Sequence, residues 1–356
     1  MEEAPEEFAT VRSGEQLDWA RLDAYLRAHL DDVRDAPPLE VWQFPNGAAN
    51  LTYLIGYGAL ELVVRRPPFG TLAPGAHDMR REHRVLSRLW QHTTLAPRAY
   101  LFCDDHSVIG SDFFVMERRH GEVVRGVIPA SMSHHDNVGH RMSMAIADAL
   151  AEFHKLDPAA CDLGDLGKPD GFVARQVSGW KKRWDLVDLG KQPLMDDIHA
   201  RLERTMPAST RVSFVHNDLK LDNCQFNPAD PDRVQSFFDW DMTTIGDPLI
   251  DLGTLLNYWP DPDDPQAVRR ASHEGMLEMG LASRAAMAER YAERSGIDLA
   301  RIDWYEAFAQ WKTAVVVQQL HVRWVRGEST DPRMETIADS VPVLAAAADR
   351  LLTPNL

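Results

Sequence analysis

A two-lobed α+β protein, with an antiparallel β-sheet first and a mainly helical part after it, is predicted from the order of patterns along the 356 residues. Short β-like runs crowd into the stretch 39–117. Helical periodicity takes over after Gly121 and dominates beyond residue 250, with one β-like interruption at 212–239. Strands first and helices later, around one short β insert, read as the α+β class.

The elements follow in order. Ser13 with Gln16 three residues on has the form of a capping box. Leu17, Leu22, Tyr25, Leu26 and Leu30 then give a helix with one apolar face, ending before Pro37-Pro38. Val41–Phe44 is β-like and is followed by a turn at Pro45-Asn46-Gly47. The runs Leu51–Ile55 and Leu60–Arg65, separated by Gly56-Tyr57-Gly58, predict a hairpin. Pro67–Gly75 is loop by its Pro and Gly content. Residues 77–92 carry Val85, Leu86, Leu89 and Trp90 at a helical period, and 98–103 and 112–117 are two further strands. In the second part, Met142–Leu156 is amphipathic within a helix over 137–156. Residues 303–326 form the longest helix and 333–352 the last. The predicted lobes are therefore residues 1–118 and 119–356.

Composition removes several functions. The chain has 38 Lys+Arg against 54 Asp+Glu, a net charge of −16. Nucleic acid or an anionic membrane needs clustered cations, so neither is expected as a partner. Three widely spaced cysteines, Cys103, Cys161 and Cys224, argue against a disulfide framework and for a reducing compartment. The acidic start, Met1-Glu-Glu, does not have the form of a signal peptide, and no apolar run reaches the roughly 20 residues of a spanning helix. A cytoplasmic protein is expected.

The chemistry concentrates in Phe214–Phe226, where His216, Asp218 and Asn223 fit the pattern H-x-D-x-x-x-x-N in a polar loop between β-like flanks. Downstream, Val234–Asp241 is a strand ending in acidic residues, and Ile245-Gly-Asp-Pro-Leu-Ile-Asp-Leu252 follows. Phosphoryl transfer from a nucleotide needs a carboxylate to orient and deprotonate the attacking hydroxyl. It also needs oxygen ligands for Mg²⁺ and positive charge on the phosphates. Asp218 suits the first task, and Asn223 and Asp239 the second.

The loop Val215–Asn223, the strand end Phe238-Asp-Trp-Asp241 and the signature Gly246-Asp-Pro-Leu-Ile-Asp251 resemble the aminoglycoside phosphotransferase family, the small-molecule branch of the protein-kinase-like fold. The likeness spans roughly 40–325. Pro45–Tyr53, Arg65-Arg-Pro-Pro68 and Ala76–Glu82 resemble a subgroup that includes kinase-like domains fused to acyl-CoA dehydrogenases. The resemblance implies a bilobal kinase-like fold and an ATP- and Mg²⁺-dependent phosphotransferase acting on a hydroxyl of a small molecule. It implies Asp218 as catalytic base, with Lys220 near the transferring phosphate. Asn223 and Asp239 are implied as metal ligands, and Glu82 as the helix glutamate that pairs with a strand cation. That cation is usually lysine; here Arg65 stands in its place, and arginine holds phosphate oxygens as a planar fork. Asn46 and Gly47 are implied at the nucleotide loop, although a plain hairpin turn is the alternative, because the glycine-rich G-x-G-x-x-G is absent. Glu117 and Arg118 are implied at the hinge whose backbone meets adenine. The subgroup points to a hydroxyacyl or hydroxy-acid acceptor. The rivals are an aminoglycoside or amino-alcohol kinase and a silent nucleotide-binding scaffold.

Plainer readings stand beside these. His216 is expected to pack the loop as a neutral ring. Asp251 is expected to cap the following helix and also to steady the loop through backbone N–H groups. Asp247 reads as a turn residue, and Asp241 as either a second metal contact or a solvent-facing carboxylate. Ser133-His-His-Asp136 reads as a polar loop, Asp261–Asp264 as a solvated connection, Trp311 and Trp324 as core, and Cys224 as a small buried hydrophobe. Arg66, on the opposite face of its strand from Arg65, is expected to matter little. Arg175, Lys181, Lys182 and Arg183 are candidate anion contacts, or a solvated helix face.

Overall fold

The computed structural model describes residues 8–44, 50–70, 77–187, 192–262, 264, 275–329 and 331–353. It divides into two compact units. The first is Met1–His120 with Asp239–Thr243, and the second is Gly121–Phe238 with Thr244–Leu356.

In the first unit five strands form one antiparallel sheet: β1 (Glu40–Gln43), β2 (Leu51–Tyr57), β3 (Leu60–Arg66), β4 (Ala99–Cys103) and β5 (Phe113–Glu117), in the order β1-β2-β3-β5-β4. The predicted hairpin is β2–β3, with Tyr57 opposite Leu60. Gly58 turns the chain at φ 65°, a conformation that suits glycine. Because successive strand residues face opposite ways, Tyr53, Ile55, Val64, Phe113 and Val115 build one core with Leu22 and Leu26 of α1 (Trp19–His29). The other face carries Val63, Arg65 and Phe114 toward α2 (Met79–Leu89), whose His83 ring meets Phe114 and Phe102. A short α3 (His106–Ile109) links β4 to β5.

Two expectations for this unit need correction. The first helix is capped by Asp18, whose carboxylate accepts from Arg21 N at 3.0 Å, and not by a box at Ser13. A cap must sit directly before the first free N–H groups. Ser13–Glu15 is too far upstream and forms a 3₁₀ turn, while Gln16 bonds Val11 O and Trp19 Nε1 instead. Arg66 does turn away from Arg65, but it is 3% exposed, donates to Pro67 O and Ile109 O, and lies 4.0 Å from the Phe69 ring centre. It holds a loop together and is no bystander. The turn containing Asn46 and Gly47 lies outside the described residues.

In the second unit, β6 (Glu122–Val123), β8 (Cys224–Asn227) and β9 (Asp230–Phe237) form a three-stranded sheet. β7 (Ser213–Val215) pairs with β10 (Thr244–Gly246). The three residues of β10 are too short to show a period, which is why the sequence reading missed them. The helices are α4 (Val138–Phe153), α5 (Phe172–Asp185), α6 (Pro193–Arg204), α7 (Leu249–Asn257), α8 (Arg284–Ser295), α9 (Ile302–Val325) and α10 (Val341–Leu352). The 24-residue α9 is the spine, packing on α5, α6, α7 and α10. A Cβ on Gly253 of α7 would stand 2.6 Å from the Tyr305 carbonyl carbon, so α7 and α9 touch backbone to backbone. Trp311 sinks into the core as expected, donating to Met195 O of α6, and Trp304 does the same with Leu202 O; Trp324, also expected in the core, is only partly buried.

The last helix begins at Val341, not at 333. Pro342 fits only the first turn, where its missing N–H costs nothing, and 3₁₀ turns precede it. Asp264 is not a solvated loop residue: both its oxygens are taken by Arg284, at 2.7 and 2.6 Å. Among the described residues no helix is long and apolar enough to cross a membrane.

Candidate active site

Strand β7 delivers the chain into the loop 216–223, and this loop is held through its backbone. Asp251, fully buried in the first turn of α7, accepts His216 N at 2.6 Å on one oxygen and Asn217 N at 2.7 Å on the other. Asp251 is therefore not the helix cap; Pro248 occupies that position. The loop-steadying role is the one its geometry fills. His154, the residue directly after α4, contacts the same carboxylate at 3.2 Å and the Tyr291 hydroxyl at 2.7 Å, so a fully enclosed polar network stands behind the loop. Burial, with Asp251 adding to it, pushes the Tyr291 phenol above its ordinary range. Asp247 accepts Leu249 N and the Tyr305 hydroxyl, a structural pairing. His216 is buried, reaches Phe238 O at 2.9 Å and meets the Phe237 ring edge-on.

Asn217 has φ 70°, a strained conformation for a residue with a side chain, and such strain gathers at functional positions. It turns Asp218 out to a quarter exposure. One Asp218 oxygen takes Lys220 Nζ at 3.1 Å and lies 3.3 Å from Asn223 Nδ2, which also donates to Asp218 O at 2.7 Å. Desolvation works against the Lys220 charge. The Asp218 and Asp222 carboxylates outweigh it, and the net shift of its pKa is upward. Asn223 has spent its amide nitrogen on Asp218, so its oxygen is the atom it has to offer. Cys224 is fully buried, and burial raises its thiol pKa.

A second cluster belongs to the first unit. Arg65 Nε lies 3.0 Å from Glu82 Oε2, and Arg65 Nη2 lies 2.5 Å from Asp239 Oδ1. Desolvation opposes the guanidinium charge, but Glu82, Asp239 and Asp241 more than offset it. Glu82 is 1% exposed, and desolvation lifts its pKa to about 7 despite Arg65. Asp239 adopts φ 64°, the second strained residue among the candidates.

The remaining candidates fall elsewhere. Glu117 donates its N–H to Arg98 O, and Arg118 lies over the Phe8 and Phe44 rings. Arg175 is tied to Lys168 O and Asp170 O, and Lys181 to Asp185 and Asp196. His135 bonds Pro228 O, and no metal-type cluster stands among the described residues. What the sequence reading missed is Lys312 of α9, whose ammonium donates to Asn217 O at 3.0 Å, one residue from Asp218. Its only signal is a lone cation in the run Trp311-Lys312-Thr-Ala-Val-Val-Val317 of an otherwise apolar helix segment.

The family model described as the phosphotransferase enzyme family matches residues 40–305. Acyl-CoA dehydrogenase family member 11 of Rattus norvegicus is 31% identical over 342 residues, covering 93% of this chain and 42% of that protein. The chain thus spans less than half the length of that relative. A solved Ralstonia eutropha protein, assigned to the aminoglycoside phosphotransferases, superposes with a TM-score of 0.79 at 27% identity, over 95% of this chain and 98% of its own. An aminoglycoside phosphotransferase solved with AMP-PNP and hygromycin B gives 0.57 at 14% identity, over 91% and 97%, a likeness of fold alone. The matched span contains both clusters, and the chain belongs to the phosphotransferase enzyme family.

Proposed function

We propose that the protein transfers the γ-phosphoryl group of ATP, with Mg²⁺, to a hydroxyl of a small hydroxy acid or its thioester. The observation that carries this reading is Asp218 itself. It is a partly open carboxylate on a loop that Asp251 fixes by two backbone hydrogen bonds, with a lysine and an amide on one of its oxygens. In the step, the acceptor oxygen forms a bond to the γ-phosphorus while its proton passes to Asp218. The bond from that phosphorus to the bridging oxygen breaks, and ADP leaves. Lys220, already charged and beside Asp218, meets the moving phosphoryl oxygens.

Residues 1–118 serve the nucleotide and 119–356 the acceptor. Arg65, oriented by Glu82, takes the non-transferred phosphates. Asn46 and Gly47 form the loop over them, and the backbone at Glu117 and Arg118 meets the base. Asn223 through its amide oxygen, and Asp239 through the oxygen that Arg65 leaves, offer the hard donors that Mg²⁺ takes. When bound, the ion neutralises phosphate charge. Three buried, unpaired cysteines suit a cytoplasmic setting.

The acceptor class rests on the likeness to the dehydrogenase-linked subgroup. A second reading, an aminoglycoside or amino-alcohol acceptor, is favoured by the net charge of −16, which draws cations at long range. Asp218→Asn tests the core of the proposal. Mg·ATP binding by calorimetry should persist while turnover falls about 10²–10⁴-fold. Wild-type turnover in this variant would refute the assignment.

A further inference from the structure

Two cations of the second unit, Lys312 and Arg183, enter no ion pair among the described residues and share one aromatic ring. Lys312 Nζ has one hydrogen-bond partner among the described residues, the carbonyl of Asn217 at 3.0 Å. An ammonium carries three donors. Arg183 of α5 likewise enters no ion pair among the described residues. Both cations lie against one ring: Arg183 Cζ stands 4.3 Å and Lys312 Nζ 5.5 Å from the centre of Trp180, a residue 6% exposed.

Like charges repel, and two of them against one aromatic ring need a reason. The neighbouring carboxylates favour the Lys312 charge but are engaged by other donors. Asp218 is taken by Lys220 and Asn223, and Asp251 by two backbone N–H groups and His154. Desolvation lowers the Lys312 pKa, and Arg183 and Lys220 push the same way, against Asp218 and Asp251. A half-buried cation in that position gains most from a negative oxygen that is not part of the protein.

We propose that Lys312, with Arg183 behind it on Trp180, binds the carboxylate or acyl oxygen of the acceptor and so holds its hydroxyl toward Asp218. This deepens the proposed function and rests on its placing of Asp218 as the base. The chemistry selects against a cationic acceptor despite the net charge, because screening at physiological salt confines long-range attraction to about 8–10 Å and leaves the choice to local groups. It also sorts the basic stretch of α5. Arg175 and Lys181 are spent on their own surroundings, and Arg183 is the member that faces the same ring as Lys312.

The test compares wild type, Lys312→Met and Lys312→Arg, each with Mg·ATP. The acceptors are a panel of β- and γ-hydroxy acids of about four to ten carbons, their coenzyme A thioesters, the matching diols and the matching amino alcohols. Binding is read by calorimetry and turnover by ADP release. Hydrogen bonds to charged groups imply that Lys312→Met weakens the acyl-ended acceptors about tenfold to a hundredfold in Kd and KM. The diols should be unchanged, and Lys312→Arg should restore most of the loss. The free-acid and thioester arms tell which form supplies the oxygen.

An equal loss for all acceptors in Lys312→Met, together with a lowered Tm, would mean that Lys312 only braces the Asn217 carbonyl, and the proposal falls. It falls equally if wild type prefers the amino alcohols, or binds the acyl-ended compounds no better than the diols. If binding depends on Lys312 and on the acyl oxygen while no acceptor is phosphorylated, the anion subsite stands and the phosphotransfer role of Asp218 is what fails.

Discussion

In the first unit Arg65 is gripped from two sides by Glu82 and Asp239, charge against charge. In the second, the loop of Asp218 is gripped through its backbone by Asp251, which has no lysine or arginine partner among the described residues. The two arrangements fail differently. Removing one carboxylate from the first cluster leaves Arg65 the other as partner. Removing Asp251 leaves two buried N–H groups with nothing to bond, and the loop loses its fixed course. The first cluster stores its order in side chains, and the second frees its side chains for chemistry by ordering the chain beneath them.

Asp251→Ala is therefore expected to be the most damaging change. Each orphaned buried donor costs about 1–3 kcal/mol, so stability should drop by about 3 kcal/mol or more, and turnover should fall with it. Asp251→Asn keeps one acceptor oxygen and should recover part of both. Urea unfolding of the two variants checks this. If Asp251→Ala unfolds within about 1 kcal/mol of wild type, the loop is held by something else.

Next comes Arg65. Lysine offers a point charge where arginine bridges two carboxylates with a planar fork. Arg65→Lys should keep one of the two pairings and weaken Mg·ATP binding about tenfold, and Arg65→Ala should weaken it further. Titration calorimetry with Mg·ATP reads both. Equal affinity in Arg65→Lys and wild type would show that the double grip is not what the nucleotide needs.

The comparison also explains what was legible beforehand. Asp218, Asn223 and the Gly246–Asp251 signature sit within one continuous stretch, so their spacing carries the loop. Arg65 and Glu82 were found through the resemblance, yet the second grip on Arg65 by Asp239 spans 174 residues and leaves no local mark. Lys312 and Asn217 are 95 residues apart, and no period in α9 says which turn meets the loop. His154, 97 residues from Asp251 in sequence, is hidden for the same reason. Long-range pairing decides these contacts, while local patterns decide helices, hairpins and motifs.

Arg66 sharpens the contrast within one strand. Its neighbour faces the charged cluster, and Arg66 is buried against backbone carbonyls. Arg66→Ala should cost about 1–3 kcal/mol through lost packing and two lost hydrogen bonds, with Mg·ATP affinity close to wild type. A fall in affinity without a fall in Tm would mean that the roles of the two arginines are reversed.

The smallest effect concerns the pH dependence of the first cluster. Glu82 has its pKa raised from 4.5 to about 7, with desolvation the first cause. Between those values the folded protein keeps the proton that the unfolded chain has released. The unfolded state then binds fewer protons, so stability from this group falls as pH rises. It is fully present below about pH 4.5 and gone above about pH 7. Glu82→Gln cannot ionise and should lack this slope. The Tm of wild type relative to Glu82→Gln should therefore decline from pH 5 to pH 8. A wild-type Tm that keeps a constant offset from that of Glu82→Gln across this range would show that Glu82 does not carry the slope.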